Sequence, residues 1–354
     1  MSVLRLTSHF AAVCLGLSVL APLQAAPPAR PHPFHVETEW KIGGAGGWGF
    51  LAIDPAAHQL YIPRTNRIQV VDTRTGQVTG EVDGFKNLRD IVLEDSGRYG
   101  YVSDPTDGTA GFVHVFDRAS LKLVASIPTG LVPASLVFDP ATRSVLAFNA
   151  HSHSATVIDT ASNHVAATIP LASRPGNAIA DGHGFVFVTL PALGVIARLD
   201  AASRTVTASW QLAPCTGPSG LAMDARRHQL FTTCEDHTLI AVDAETGRVT
   251  PLGKAPAVAG DLDFNPATGE LALADAAGSV TLYRRSASGS YTVRQQVKTE
   301  PGARTMIFDH QDDTVYLVTA KYGQNTGNVS EELEFRPTPI PGSFSVLVVG
   351  KDRW

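Results

Sequence analysis

Seven times along this chain an acidic or amide residue closes a short apolar run. The positions are Asp54, Glu94, Asp139, Asp181, Asp224, Asn265 and Asp309, at intervals of 40, 45, 42, 43, 41 and 44 residues. One interval, Leu131 to Leu171, shows the content of all. A proline-led approach (Pro133-Ala134-Ser135) leads to an apolar run closing on Asp139, and a Pro-Ala-Thr turn leads to a second run, Val145 to Asn149. A third run ends Val157-Ile158-Asp159, and a fourth spans Val165 to Ile169. Short runs rich in Val, Ile, Leu and Phe, bounded by Pro, Asn, Asp, Ser and Gly, predict strands joined by tight turns. Each interval is therefore read as a four-stranded antiparallel meander. One such sheet is marginal alone because both its faces are apolar, so the repeats must cover one another. Solenoids with a period near forty are helical, and no helical stripe runs through these repeats. The fold predicted is an all-β, seven-bladed β-propeller of four-stranded antiparallel blades.

The length of 354 residues would otherwise suggest two or three domains, but an unbroken repeat that closes on itself makes one. Glycine and proline are abundant (31 and 23 residues) and only 17% of residues are charged, which suits a turn-dense globular chain and excludes a disordered one. The last repeat has strands at Met306 to Asp309, Val315 to Thr319 and Phe344 to Val349 but lacks a fourth. An alternating segment, His35 to Ile42, precedes the first repeat. The expectation is that this N-terminal strand completes the last blade and ties the two ends together.

Ahead of that strand, Arg5, the apolar run Phe10 to Leu20 and the small residues around Ala25 and Ala26 read as an export signal, residues 1–25. An uncleaved anchor is the competing reading, but the apolar run is short for a span. Residues 26–33 form a Pro-rich leader and 34–354 the propeller. The mature protein is expected to be monomeric, periplasmic or extracellular, with no membrane span once the signal is removed. Cys14 leaves with the signal. Cys215 lies just before the first strand of the fifth unit and Cys234 ends the second, so a hairpin brings both to one rim. A disulfide is expected there, with free thiols or a metal pair as alternatives.

Several third strands end in Asp followed three residues later by Thr or Ser: Asp72/Thr75, Asp159/Ser162, Asp200/Ser203 and Asp243/Thr246. Carboxylates that cap turn amides explain the pattern without a catalytic role. At these residues the chain resembles the YVTN-type, YncE-like seven-bladed propellers, whose blades read roughly Pro-x-Gly-Leu-x-x-Asp, Leu-Tyr-Val-Thr-Asn and Val-x-Val-Ile-Asp. The match is carried by Pro218-Ser219-Gly220-Leu221 with Asp224, Leu60-Tyr61-Ile62, Val315 to Thr319, Ala155 to Asp159, and the tail Pro341 to Val349. The resemblance spans about residues 34–350. It implies an exported propeller and says little of function, because a fold hosts many functions. Single-stranded DNA binding, attributed to some members, is not carried by matching residues here.

In a blade, the approach to strand one and the loop between strands two and three open on the same face, the channel mouth. That face is predicted to gather Trp48, Arg89, Asp90, Asn177, Asp261, Arg304 and Tyr322 as ligand-binding residues, with Arg64, Arg67, Asp104 and Asp107 in its loops. Three readings compete there. His151 and His153, joined by His237, are candidate metal ligands, although one His-x-His falls short of the three or four ligands a site needs. Asp90 and Asp261 beside Arg89 or Arg304 are candidates for a lactonase-like hydrolase, although no lactonase motif is present. The preferred reading is binding without chemistry or cofactor. Arg89 and Arg304 flank Trp48 and suit a small anion or a protein partner's carboxylate. Nucleic acid is disfavoured by a net charge of −5 and by aromatics that make up only 7% of the chain. The segment Lys321 to Gly342 replaces a short loop and is read as a lid, a docking arm or a plain excursion.

Overall fold

The computed structural model describes residues 32–256, 258–287, 289–323 and 339–352. The export signal, most of the leader and the centre of the 321–342 segment lie outside the described residues.

Seven four-stranded antiparallel sheets form the propeller. Six are consecutive meanders: β2 to β5 (Ala52–Asp54, Gln59–Arg64, Arg67–Asp72, Val78–Asp83), β6 to β9 (Ile91–Leu93, Tyr99–Asp104, Gly111–Asp117, Lys122–Thr129), β10 to β13 (Pro133–Asp139, Ser144–Asn149, Ser154–Asp159, His164–Pro170), β14 to β17 (Ala178–Ala180, Phe185–Leu190, Val195–Asp200, Thr205–Gln211), β18 to β21 (Leu221–Asp224, Gln229–Thr233, Thr238–Asp243, Val249–Lys254) and β22 to β25 (Ala259–Asn265, Glu270–Asp275, Ser279–Arg285, Tyr291–Lys298). The seventh blade is built from both ends of the fold. Its order is β1 (Phe34–Lys41), β28 (Ser345–Lys351), β27 (Thr314–Thr319) and β26 (Thr305–Asp309), with β1 paired antiparallel to β28 from Phe34 opposite Lys351 to Lys41 opposite Ser345. The N-terminal strand thus completes the last blade, as the unpaired seventh repeat predicts.

Burial follows from the stacking of blades. Every residue of the middle strands β11 and β27 is buried, because neighbours cover both faces of the sheet, whereas the outer strand β9 is mostly exposed. The apolar clusters straddle the seams. One joins Val137, Leu146, Phe148 and Val157 of the third blade to Val186, Val188, Ala197 and Leu199 of the fourth. Each such side chain contributes about 1.5–3 kcal/mol by leaving water, and none could do so in an isolated blade.

Six of the seven repeating anchors cap turns, and Asp224 accepts from the Arg227 side chain instead. Asp54 Oδ1 accepts the Ala57 amide, Glu94 accepts those of Ser96, Arg98 and Tyr99, and Asp309 Oδ1 accepts that of Gln311. The third-strand aspartates do the same one turn later. Asp72, Asp159, Asp200 and Asp243 each accept the amides two and three residues on, and Asp117 accepts that of Ser120. Cys215 and Cys234 form a disulfide with a Cα–Cα distance of 5.4 Å, stapling the mouth side of the fifth blade.

The closure carries extra stitching. The Phe34 amide donates to Gln295 Oε1 at 2.9 Å and the Gln295 side-chain amide donates back to the Phe34 carbonyl, so β1 is fastened to the outer strand of the sixth blade as well. Lys351 and Arg294 lie over the Phe34 ring and pair with Asp313 and Glu270.

Candidate functional site

The mouth is built from residues just ahead of each inner strand. Four places before the turn-capping anchor stand Asp90 in the second blade and Asp261 in the sixth, and both carboxylates reach sideways across a seam. Asp90 Oδ2 accepts the Leu136 amide of the third blade at 2.7 Å, and Asp261 Oδ2 accepts the Met306 amide of the seventh at 3.0 Å. Asp263 repeats the bond two residues on, to the Phe308 amide at 2.9 Å. These bonds join inner strands of neighbouring blades, which share no sheet ladder. Asp90 and Asp261 are therefore seam pieces lining the channel and not free carboxylates offered to a ligand.

Burial pushes both Asp90 and Asp261 up to about 7. For Asp90 the donated amides of Leu136 and Ile91 and the Ser135 hydroxyl oppose the push; for Asp261 the Met306 amide and the charge of Arg304 oppose it, while Asp90 and Asp263 add to it. Asp261 thus feels the charge of Asp90 from a non-adjacent blade. Burial pulls the His310 imidazole down, but Asp263, 3.6 Å away, outweighs it and leaves the pKa raised.

Above these carboxylates, three consecutive blades present Arg304, Trp48 and Arg89. The Trp48 indole N–H donates to Thr305 Oγ1 at 3.4 Å, and its ring lies 6.3 Å from Tyr322 and 5.2 Å from Phe344. On its other side Phe50 donates its amide to the Arg89 carbonyl at 2.8 Å. A Cβ on Gly49 would stand 1.8 Å from that carbonyl, so only glycine admits this approach. The Arg304 carbonyl likewise accepts the Asp261 amide, which leaves its exposed side chain at the rim. Tyr322 sits at the base of the 321–342 segment, bridged to Pro339, with the Ile340 amide on the Lys321 carbonyl at 2.8 Å. Trp48 is thus linked to Tyr322 and Phe344, to Thr305 next to Arg304 and, through Phe50, to the Arg89 carbonyl. Asn177 stands apart in the fourth blade, half-buried, its carbonyl accepting the Thr189 amide. Whether the segment forms a lid turns on residues 324–338, outside the described residues.

Two expectations are corrected. Arg64 is no mouth residue: it is fully buried, and its five N–H donors are all used, on the carbonyls of Gly43, Ala45, Gly46 and Gly47 and on Gln69 Oε1. Its guanidinium lies 3.8 Å from the Phe344 ring centre. Burial lowers its pKa to about 10, with Arg67 adding to the effect, so it remains charged at neutral pH. The only hint in the sequence is the run Gly43-Gly44-Ala45-Gly46-Gly47 between the closing strand and the first blade, whose carbonyls need a donor. His151, His153 and His237 are exposed turn residues, the last two with φ of 46° and 59°, and among the described residues no three His, Cys, Asp or Glu side chains group to hold a metal. The second correction is Asp104, expected in a mouth loop between strands two and three: it is the last residue of β7, is buried and accepts the amides of Lys86, Asn87 and Thr106.

No family model matches the chain, and no curated protein matches it. Solved structures do. The chain is similar to the hydrazine synthase of Kuenenia stuttgartiensis (16% identity, TM-score 0.64, covering 84% of this chain and 95% of that one) and to U3-55K (10% identity, TM-score 0.69, 90% and 99%). It is also similar to the WD40 repeats of RRP9 (10% identity, TM-score 0.70, 90% and 98%). At these identities the likeness is one of fold alone.

Proposed function

We propose that this protein is an exported propeller of the YVTN-type, YncE-like kind, acting as a binding module that takes a small anionic ligand, or the carboxylate of a protein partner, on the Arg304–Trp48–Arg89 arc. The observation that carries this reading is the charge balance of the mouth. Arg304 is exposed next to Thr305, whose hydroxyl accepts the Trp48 indole N–H, while the Asp261 carboxylate that feels its charge is bonded into the seam and pushed by burial up to about 7. A guanidinium beside an aromatic face, partly shielded from water, favours a planar or bidentate anion. The same bonding argues against a mouth hydrolase, since Asp90 and Asp261 are committed elsewhere. Export is supported by the N-terminal charge and apolar pattern and by a disulfide, which persists in oxidising compartments. No helix among the described residues is long and apolar enough to cross a membrane.

The test is thermal stabilisation by a series of small anions, from phosphate to citrate, on the wild type and on Arg304→Gln. Arg304 is exposed, so the variant should fold as the parent does. A tenfold loss of apparent affinity in Arg304→Gln is expected for a charge-assisted contact of roughly 1.5 kcal/mol. Equal stabilisation of both proteins, or none of either, removes the arc as an anion site.

A further inference from the structure

The outer half of the second blade aligns three polar side chains that the mouth does not use. Strand pairing sets His114 of β8 opposite Ser126 of β9, and Asp104 of β7 opposite Phe112, two residues from His114. Side chains recur on one face of a sheet every second residue, so Asp104, His114 and Ser126 project together. His114 Nδ1 lies 2.8 Å from Ser126 Oγ, and His114 Nε2 lies 3.4 Å from Asp104 Oδ2.

A serine facing a histidine across two strands is by itself only a surface hydrogen bond. The third member makes the difference. Asp104 is 1% exposed and held by the amides of Lys86, Asn87 and Thr106. Burial pushes its carboxyl up, but His114 and those amides outweigh burial and leave its pKa below the ordinary value, so it is ionised at neutral pH. An ionised carboxylate at Nε2 selects the Nε2–H tautomer and turns the Nδ1 lone pair toward the serine hydroxyl. The imidazole packs against Phe85 at 5.1 Å and Phe112 at 5.9 Å, while Ser126 is exposed to solvent. The order from buried carboxylate through half-buried base to exposed hydroxyl is that of an activated nucleophile.

We propose that Ser126, His114 and Asp104 form a nucleophile, general base and positioning carboxylate acting on uncharged carboxylic esters, with Phe85 and Phe112 giving the apolar flank for the acyl group. Ser126 Oγ bonds to the ester carbonyl carbon as its proton passes to His114 Nδ1. The carbon–alkoxy bond then breaks and the leaving alcohol takes that proton. Water repeats the sequence on the acyl-serine, releasing the carboxylic acid and restoring the hydroxyl. Asp104 stays ionised throughout and stabilises the imidazolium.

The decisive probe is a fluorophosphonate, which forms a serine–phosphorus bond as fluoride leaves, followed by peptide mapping. A single adduct on Ser126 is expected. Ser126→Ala, an exposed position, should keep its melting temperature and lose the adduct together with p-nitrophenyl acetate hydrolysis. His114→Gln should slow labelling about 100-fold or more, as loss of a general base does. Asp104→Asn should lower kcat for p-nitrophenyl acetate about 100-fold or more with KM little changed, because the amide no longer orients the imidazole, and Asp104→Glu should restore part of the rate, a pattern that a merely structural carboxylate would not give. Arg89→Gln and Arg304→Gln should label as the wild type does, which separates this site from the mouth. No adduct on Ser126 in the folded wild type, an adduct only elsewhere, unchanged labelling of His114→Gln, or an unchanged kcat in Asp104→Asn would each overturn the triad.

Discussion

At the scale of single residues, Arg64 is a buried charge whose hydrogen bonds all go to neutral groups. Arg64 satisfies four carbonyls of one glycine-rich loop and an amide oxygen, with an aromatic ring beneath. Arg64→Met would leave those carbonyls without donors at a buried site. The expected loss is about 3 kcal/mol or more, read from the urea midpoint, and Arg64→Lys should recover little of it because one ammonium cannot fill five directions. Near-wild-type midpoints for either variant would show that water reaches the loop. Asp90 and Asp261 give a pH signature of the opposite sense to most carboxylates. Their folded values near 7 lie above the unfolded value near 4, so between those limits the folded chain holds protons that the unfolded chain has released. Their contribution to stability is complete below about pH 4 and falls as pH rises toward 7, by about 1 kcal/mol per pH unit for buried Asp90 and less for the more exposed Asp261. Asp90→Asn should flatten that slope. An unchanged slope would mean that the amides of Ile91 and Leu136 hold the carboxylate ionised.

At the scale of elements, the closing strand decides whether the ring holds. β1 pairs along its length with β28, exchanges two bonds with Gln295 and places Phe34 in the cluster shared by the sixth and seventh blades. Deleting residues 34–42 should lower the melting temperature far more than deleting 26–33, and equal melting temperatures for the two truncations would refute the closure. The strands and turn caps were legible in the sequence because both are local. Period-two runs mark the strands, and an Asp accepting amides two and three residues later needs no partner from another blade. The bonds of Asp90, Asp261 and Arg64 were not legible, for the opposite reason: they run to the next blade's amides or to a loop 17 to 21 residues earlier in the chain. The positions of Trp48, Arg89 and Arg304 just ahead of their inner strands were legible because the repeat anchors can be counted along the sequence. The alignment of Ser126 with His114 was not, since it hangs on a strand pairing known to the residue only from the structure.

At the scale of the whole molecule, likeness to propellers at 10–16% identity shows how little of a sequence this architecture dictates. Within this chain the four-stranded blade and its buried middle strands recur, whereas the two proposed sites, one at the mouth and one on the flank of the second blade, rest on residues of particular blades. Native mass spectrometry of the protein recovered from the exported fraction should show a bound anion that Arg304→Gln releases, while the flank site should be indifferent to that change.

The shared seventh blade also sets a clock. Phe34 finds its ladder partner only at Lys351, so while the chain is being made or threaded through a membrane, its first strand waits with an open edge until nearly every other residue has arrived. A pairing that distant is slow to form. The last event of folding is therefore also the one that seals the molecule, and until then the earlier blades stand as an open arc that a chaperone could hold or a protease could cut.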